Sequence, residues 1–400
     1  MIIRNISIEK YLLKKKSLFL IGARGTGKST FIKSQLMADN HPFDFLYIDL
    51  LQSKIFTRYL NYPSVLRDEI IQKLSQSKDL CVIIDEIQKI PQLLDEVHSL
   101  IEEYKGKLFF ILTGSSARKL KKANANMLAG RAFLIHFPTL QSSEIDFTKH
   151  LNSILQYGLL PEVFMEPDDS FKQEFLENYC FTYLKEEIQQ EALTRNIESF
   201  SKFLELAAQA NGAIVNFSKI SKQIRVASKT VKEYYSILED TLIAIKIPAW
   251  EHSMRKQLQK AAKYYLFDNG VLNALNGELR TELKTRSYRY GNLFENLIIN
   301  EVVKRIHILK LSYNIYHYRT NTGQEIDLIL EERTTKKLIA IEMKSDDGST
   351  PPNKREFNAL IQFKDEFPNA ELYVWCLTPQ AFSRYNILFL PFLEGLAMLE

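Results

Sequence analysis

Gly22-Ala23-Arg24-Gly25-Thr26-Gly27-Lys28-Ser29, with Thr30 behind it, is the stretch on which the fold turns. It has the form G-x-x-x-x-G-K-[ST]. It stands between an apolar run, Leu18-Phe19-Leu20-Ile21, and a helix-like segment that begins near Lys28. Glycines let the backbone wrap close to a phosphate, with successive N–H groups turned inward. The start of a helix adds a dipole that favours an anion. In this spacing Lys28 is expected to contact the β- and γ-phosphates and the Ser29 hydroxyl to ligate magnesium. Residues Gly22 to Thr30 are the expected nucleotide-binding set.

Downstream, Cys81-Val82-Ile83-Ile84-Asp85-Glu86 delivers two adjacent carboxylates at the end of an apolar strand, where ligands bind in open α/β sheets. Asp85 is expected to hold magnesium and Glu86 to polarise an attacking water. Together the two motifs imply ATP and Mg2+ as cofactors. Thr113 and Ser115 close the strand Lys107–Ser116, where a polar residue either senses the γ-phosphate or simply ends a turn. Arg131, in the Ala-Gly-Arg corner before the fifth apolar run, reads either as an arginine finger acting on a neighbouring subunit or as a surface arginine. From about Leu18 to Leu140, five apolar runs (LFLIG, FLYIDL, LCVIIDE, KLFFILTGSS, AFLIHF) alternate with amphipathic segments, which implies a parallel sheet covered on both faces.

The rest of the composition is ordinary. Of 400 residues, 46% are hydrophobic and 25% charged, as in globular chains of two or three domains, and the formal charge of +4 permits an anionic partner without requiring one. Cys81, Cys180 and Cys376 lie far apart and away from any histidine cluster, which argues against a zinc site or a disulfide framework. No stretch reaches the roughly 18 apolar residues needed to cross a bilayer. The N-terminus lacks the order of a secretory signal and is expected to run straight into a strand. The expectation is a cytoplasmic protein with no membrane partner.

The pieces GARGTGKST, VIIDEIQKIP, FILTGSSARKL and LAGRAF, in that order, resemble an AAA-type ATPase of the large prokaryotic group whose C-terminal part is a domain of unknown function. The resemblance continues through YGLLPEVF, YYLFDNGVLNAL, GNLFENLIINEV, GQEIDLIL and IAIEMKS, and so covers nearly the whole chain.

From about Glu144 to Leu275 the pattern turns mostly helical, with apolar residues three and four apart. Asn216–Ile224 and Ser228–Leu238 read as two short helices joined by Arg225-Val226-Ala227, with a core of Phe217, Ile220, Ile224, Val231, Tyr235 and Leu238. Lys229 and Lys232 are placed to face phosphates, and TLIAIKIPAW with KYYLFDNG would form a wing. The resemblance also implies a winged-helix-like module here. The alternative is a helical hairpin used for packing or for oligomer contacts.

From about Tyr290 the order is α-β-β-β-α-β. Asp327 lies in Gly323–Leu330, Glu342 and Lys344 in Ile339–Lys344, and Glu295 on the preceding helix. Asp327 and Glu342 are expected on neighbouring strands of a hairpin. Glu342 and Lys344, two apart, share one face. Two carboxylates able to hold magnesium, a third from Glu295 and a lysine able to stabilise negative charge form the set that phosphodiester hydrolysis requires. The arrangement resembles the PD-(D/E)xK nuclease fold, except that Ile326 stands where that pattern has proline. A solvated hairpin face and an inactive nuclease fold are the competing readings.

The expected organisation is an α/β chain of three parts. An AAA-type P-loop ATPase domain covers 1–143, a helical lid and winged-helix-like region 144–285, and a restriction-endonuclease-like domain 286–400. The expected partners are ATP, DNA and, through Arg131, further copies of the chain.

Overall fold

The computed structural model describes residues 2–36, 41–115, 130–184, 197–251, 253, 255, 257, 260–320, 323–348 and 352–400. The expected segment SSARKL and the start of LAGRAF fall partly outside them, as does the end of the helix-like run Phe171–Gln190.

Five apolar runs become strands: β1 (Ser17–Ile21), β2 (Asp44–Asp49), β3 (Leu80–Asp85), β4 (Leu108–Gly114) and β5 (Ala132–His136). All pair in parallel, in the order β2-β3-β4-β1-β5. β1, β3 and β4 are buried at every residue, as their unbroken apolar sequences require, whereas the edge strands β2 and β5 are partly exposed. A core that includes Leu66, Ile70, Leu93, Val97 and Leu100 packs helices Val65–Leu74 and Leu93–Glu103 on one face. The N-terminus does not run straight into β1. A short helix, Glu9–Leu13, buries Tyr11 and Leu12 first.

By compactness the chain forms two units. One is Met1–Glu144 with Asp240–Leu242; the other is Ile145–Glu239 with Ile243–Glu400. The second unit therefore runs through residue 286 without a break.

Within it, helices Ile197–Gln209, Phe217–Ile224 and Ser228–Asp240 lead into an antiparallel hairpin of β6 (Ala244–Ile247) and β7 (Lys263–Leu266). Ile214 makes one further antiparallel bridge, to Lys263. Asn216 caps its helix by accepting from the Lys219 N–H at 3.0 Å. Of the expected core, Ile220, Ile224, Val231, Tyr235 and Leu238 are buried and Phe217 is half-buried.

Helix Tyr288–Ile308 starts on a Ser287 cap and is buried on most of its circumference, including Asn296 and Asn300. These amides are satisfied: Asn211 donates to Asn296 (3.1 Å), Asn296 to Asn269 (2.7 Å) and Asn300 to the Leu266 carbonyl (2.9 Å). The helix is thereby fixed to the end of β7. A mixed sheet follows, in the order β12-β13-β11-β10-β9-β8. Its strands are β8 (Tyr313–Arg319), β9 (Glu325–Glu332), β10 (Leu338–Lys344), β11 (Glu371–Cys376), β12 (Phe382–Arg384) and β13 (Ile387–Pro391), with helix Asn358–Glu366 between β10 and β11. The expected α-β-β-β-α-β order is present. The hairpin β12–β13 and the helix Phe392–Ala397 extend it, and they cover Trp375, which is fully buried.

Candidate functional site

The phosphate loop leaves the C-terminal end of β1. Gly25 (φ 79°) and Gly27 (φ 90°) take the left-handed backbone that a side chain disfavours. A Cβ on Gly22 would lie 2.0 Å from the Phe137 carbonyl oxygen, so only glycine fits there. The helix begins at Lys28, whose buried ammonium donates to the carbonyls of Gly22 (2.8 Å) and Ala23 (3.1 Å). Thr26 donates its hydroxyl to the Ala23 carbonyl at 2.9 Å. Ala23 and Thr26 are buried, Arg24, Gly25 and Thr30 exposed, and Gly27 and Ser29 half-buried.

A residue not singled out in the sequence closes the loop from behind. Arg4 is buried and donates to the carbonyls of Thr26 (2.7 Å), Pro138 (2.8 Å) and Thr139 (3.3 Å), pairs with Glu144 at 3.0 Å and lies over the Phe137 ring. Burial lowers its pKa, against the pull of Glu144.

β4 lies between β1 and β3, so Thr113 sits beside both the loop strand and the acidic strand. Its hydroxyl donates to Asp85 Oδ1 and accepts from the Glu86 N–H at 3.0 Å. The other Asp85 oxygen accepts from the Tyr47 hydroxyl at 2.6 Å, and burial and this bond raise the Tyr47 pKa. Glu86 takes a left-handed backbone (φ 62°), strain of about 1–2 kcal/mol for a residue with a Cβ. Its carboxylate accepts from Gln88 Nε2, which also donates to Ser115 Oγ at 3.0 Å. Tyr47 and Gln88 carry no sequence signal of their own; only the strand order brings them here. Arg131 lies one residue before Ala132, which pairs with Ser17, so it stands at the end of the sheet where β1 begins, opposite the phosphate loop. There it pairs with Glu102. It does not reach its own nucleotide site.

In the second unit the chain brings together Glu295, Asp327, Glu342 and Lys344. β9 and β10 pair antiparallel up to Leu328↔Ile341, which places Asp327 and Glu342 opposite one another at the next step. Asp327 Oδ2 accepts from the Met343 N–H at 2.8 Å, and Glu342 Oε1 from the Lys344 ammonium at 2.8 Å. Glu342 Oε2 is buried without a partner. Glu295 Oε1 accepts from the Tyr265 hydroxyl at 2.6 Å and lies 3.9 Å from Lys263 Nζ, which pairs with Glu325 at 3.0 Å. Lys263 and Tyr265, on β7, were not foreseen, because nothing in the sequence links that strand to the acidic cluster.

Burial, and then the charge of Asp327, push the Glu295 carboxyl up to about 7 and the Glu342 carboxyl up to about 8. Burial works against the charge on Lys344, but Glu342 and Asp327 outweigh it and raise its pKa. Carboxyls that repel one another in a buried place, one with an unpartnered oxygen, suit a divalent cation. Among the described residues, however, no three His, Cys, Asp or Glu side chains are already arranged as a ligand set.

The raised acids have a consequence for stability. A carboxyl held above its unfolded pKa contributes most below that unfolded value and loses the contribution as pH climbs through its folded value. In chelator, the protein should therefore lose stability between about pH 4 and pH 8. Glu342→Gln should flatten that decline and be the more heat-resistant form at pH 8. Thermal unfolding across pH checks it: parallel curves for the two proteins would remove Glu342 as the cause.

In the helical part, Lys229 and Lys232 are exposed on helix Ser228–Asp240, with the Lys232 ammonium 5.6 Å from the Phe217 ring centre. No helix among the described residues is long and apolar enough to cross a membrane.

A parallel sheet in this order, with a glycine-rich loop leaving β1 and an acidic pair leaving β3, defines a P-loop nucleotide-binding domain. Residues 14–146 match the AAA domain family, in keeping with that fold. Residues 148–282 match a domain of unknown function (DUF8612) and residues 290–394 another (DUF4143). An uncharacterized protein of Haemophilus influenzae is 23% identical, with 86% of each chain covered. Uncharacterized proteins of Mycobacterium tuberculosis and Mycobacterium bovis are each 22% identical over 250 residues, 62% of this chain; that match spans 56% of the mycobacterial proteins' length. Among solved structures, the RuvB Holliday junction branch migration motor of Thermotoga maritima aligns with 64% of this chain and 95% of its own, at 15% identity and a TM-score of 0.27. A DNA polymerase III gamma subunit-related protein of the same organism aligns with 75% and 99%, at 12% identity and a TM-score of 0.25. At this distance neither says anything of substrate.

Proposed function

We propose that this protein hydrolyses ATP and couples its nucleotide state to the binding and magnesium-dependent cleavage of DNA. The observation that carries the second half is the convergence of Glu295, Asp327, Glu342 and Lys344, with one oxygen of buried Glu342 left without a partner. In the ATPase domain, Gly22 to Thr30 cradle the phosphates, and Lys28 exchanges its loop carbonyls for phosphate oxygens. Ser29 and Asp85 would hold a magnesium ion, Glu86 would orient the attacking water, and Thr113 fixes both acidic residues. Arg131 serves a neighbouring copy, since it lies at the far end of its own sheet.

In the C-terminal part, Asp327, Glu342 and Glu295 would hold the metal. Magnesium there would supply a polarised water and neutralise the phosphate. Lys344 places its charge where the leaving oxygen develops its own. The order of helices and hairpin from Ile197 to Leu266 supports a winged helix, with Lys229 and Lys232 toward the DNA backbone. A cytoplasmic setting suits such a substrate.

A second reading rests on the Glu342–Lys344 pair and on the lack, among the described residues, of a ready ligand set. In that reading the fold binds a protein partner, does not cut, and is switched by nucleotide. The test is incubation with linear, supercoiled, single-stranded and branched DNA in magnesium or manganese, with and without ATP. Metal-dependent cleavage sustains the first reading. Its absence on every substrate would overturn it in favour of the second.

A further inference from the structure

We propose that Lys263 and Tyr265, on the β6–β7 hairpin, are positioning residues for the acidic cluster, turning Glu295 so that its second oxygen is presented to a divalent cation. This rests on the reading of that cluster as a metal centre. The hairpin belongs, by sequence, to the helical part of the chain, some way before the strands that carry Asp327 and Glu342. The fold nevertheless sets it against the same carboxylates. Tyr265 and Lys263 lie two apart on β7, so both side chains leave the same face of the hairpin.

Both act on one atom. Glu295 Oε1 accepts from the Tyr265 hydroxyl at 2.6 Å and lies 3.9 Å from Lys263 Nζ. Lys263 meanwhile holds Glu325 at 3.0 Å, which keeps a further carboxylate on the hairpin's side of the cluster. A lysine 3% exposed and a tyrosine fully buried are costly unless paired, and here the pairing is with the cluster itself. The backbone behind them is equally fixed. Gly212 donates its N–H to the Tyr264 carbonyl at 2.9 Å, and a Cβ there would lie 3.5 Å from Glu295 Oε1 and 3.3 Å from the Tyr265 ring. Carboxylates that ligate metals are themselves commonly held by hydrogen bonds, and loss of such a partner weakens metal affinity about 10- to 100-fold.

The test is manganese titration of the full chain without nucleotide, in an Asp85→Asn background that silences the ATP-domain metal site. Tyr265→Phe keeps the ring and removes only the hydroxyl. Tyr264→Phe, on the same strand, loses a hydroxyl bonded to Glu239 of helix Ser228–Asp240 and is the control for general damage to the hairpin. The expected result is manganese binding about tenfold weaker in Tyr265→Phe and in Lys263→Met, with Tyr264→Phe unchanged. Equal affinity in the parent and Tyr265→Phe, with binding still lost in Glu342→Gln, would overturn the positioning role and leave the metal centre standing. No manganese binding in the parent would overturn the metal centre and the positioning role together. A fall of the same size in Tyr264→Phe would overturn the proposal by tracing the effect to the hairpin as a whole.

Discussion

Replacing Glu86 with Gln should lower ATP turnover by about 10²- to 10³-fold while leaving ATP binding near its original strength, because a positioned general base contributes on that order and an amide cannot take the proton. The geometry makes the substitution a clean one. The Thr113 hydroxyl accepts the Glu86 N–H at 3.0 Å, a backbone bond that the substitution leaves in place. The side chain meets Gln88, and an amide in its place can still accept from that donor through its oxygen. The phosphate loop, with Lys28 held by Gly22 and Ala23, is untouched. Turnover and binding of a fluorescent ATP analogue, measured on the same preparation, check both halves. A parallel loss of both would mean that Glu86 shapes the binding site and is not the residue that handles water.

The second large effect is expected in the C-terminal part. Lys344→Ala and Asp327→Asn should each reduce metal-dependent DNA cleavage by at least about 10²-fold, the usual cost of removing a group that stabilises developing charge. They should differ in everything else. Lys344 is the partner of Glu342 Oε1, and its loss leaves a buried carboxylate with neither oxygen paired, so that variant should also be less stable at alkaline pH. Asp327→Asn keeps an oxygen that can accept the Met343 N–H and should unfold near the parent temperature while binding manganese poorly. Cleavage surviving in both variants would place the chemistry elsewhere or trace it to a contaminant.

Legibility in the sequence divided along physical lines. The phosphate loop and the strand Cys81–Asp85 could be read because their geometry is written in local backbone: glycines at positive φ, an unbroken apolar strand, a helix start. The same holds for Asp327, Glu342 and Lys344, where alternation along a hairpin fixes which side chains share a face. Arg4, Tyr47, Gln88, Lys263 and Tyr265 could not be read. Each is an ordinary residue in an ordinary pattern, and its role comes only from which strands lie side by side. Tyr47 meets Asp85 because β2 pairs with β3, and Tyr265 meets Glu295 because an amide chain through Asn211, Asn296 and Asn269 ties a helix to the end of β7. The hairpin β12–β13 went unforeseen for a related reason. Its strands are short, and the tight turn at Tyr385 and Asn386, both at positive φ, lacks the glycine that usually marks one.

The buried Arg4 has a bearing on where the nucleotide-binding unit can be cut. Similarity to the AAA family begins at residue 14, and a fragment trimmed to that boundary would keep every residue of the phosphate motif. It would also discard a side chain that joins the Thr26 carbonyl to Pro138, Thr139 and Glu144. Glu144, whose side chain is fully enclosed, would then lose this cation, and the Thr26 carbonyl would lose this donor. The leading segment works as a latch on the binding loop, so the portable ATP-binding piece of this chain starts before the point at which its family becomes recognisable.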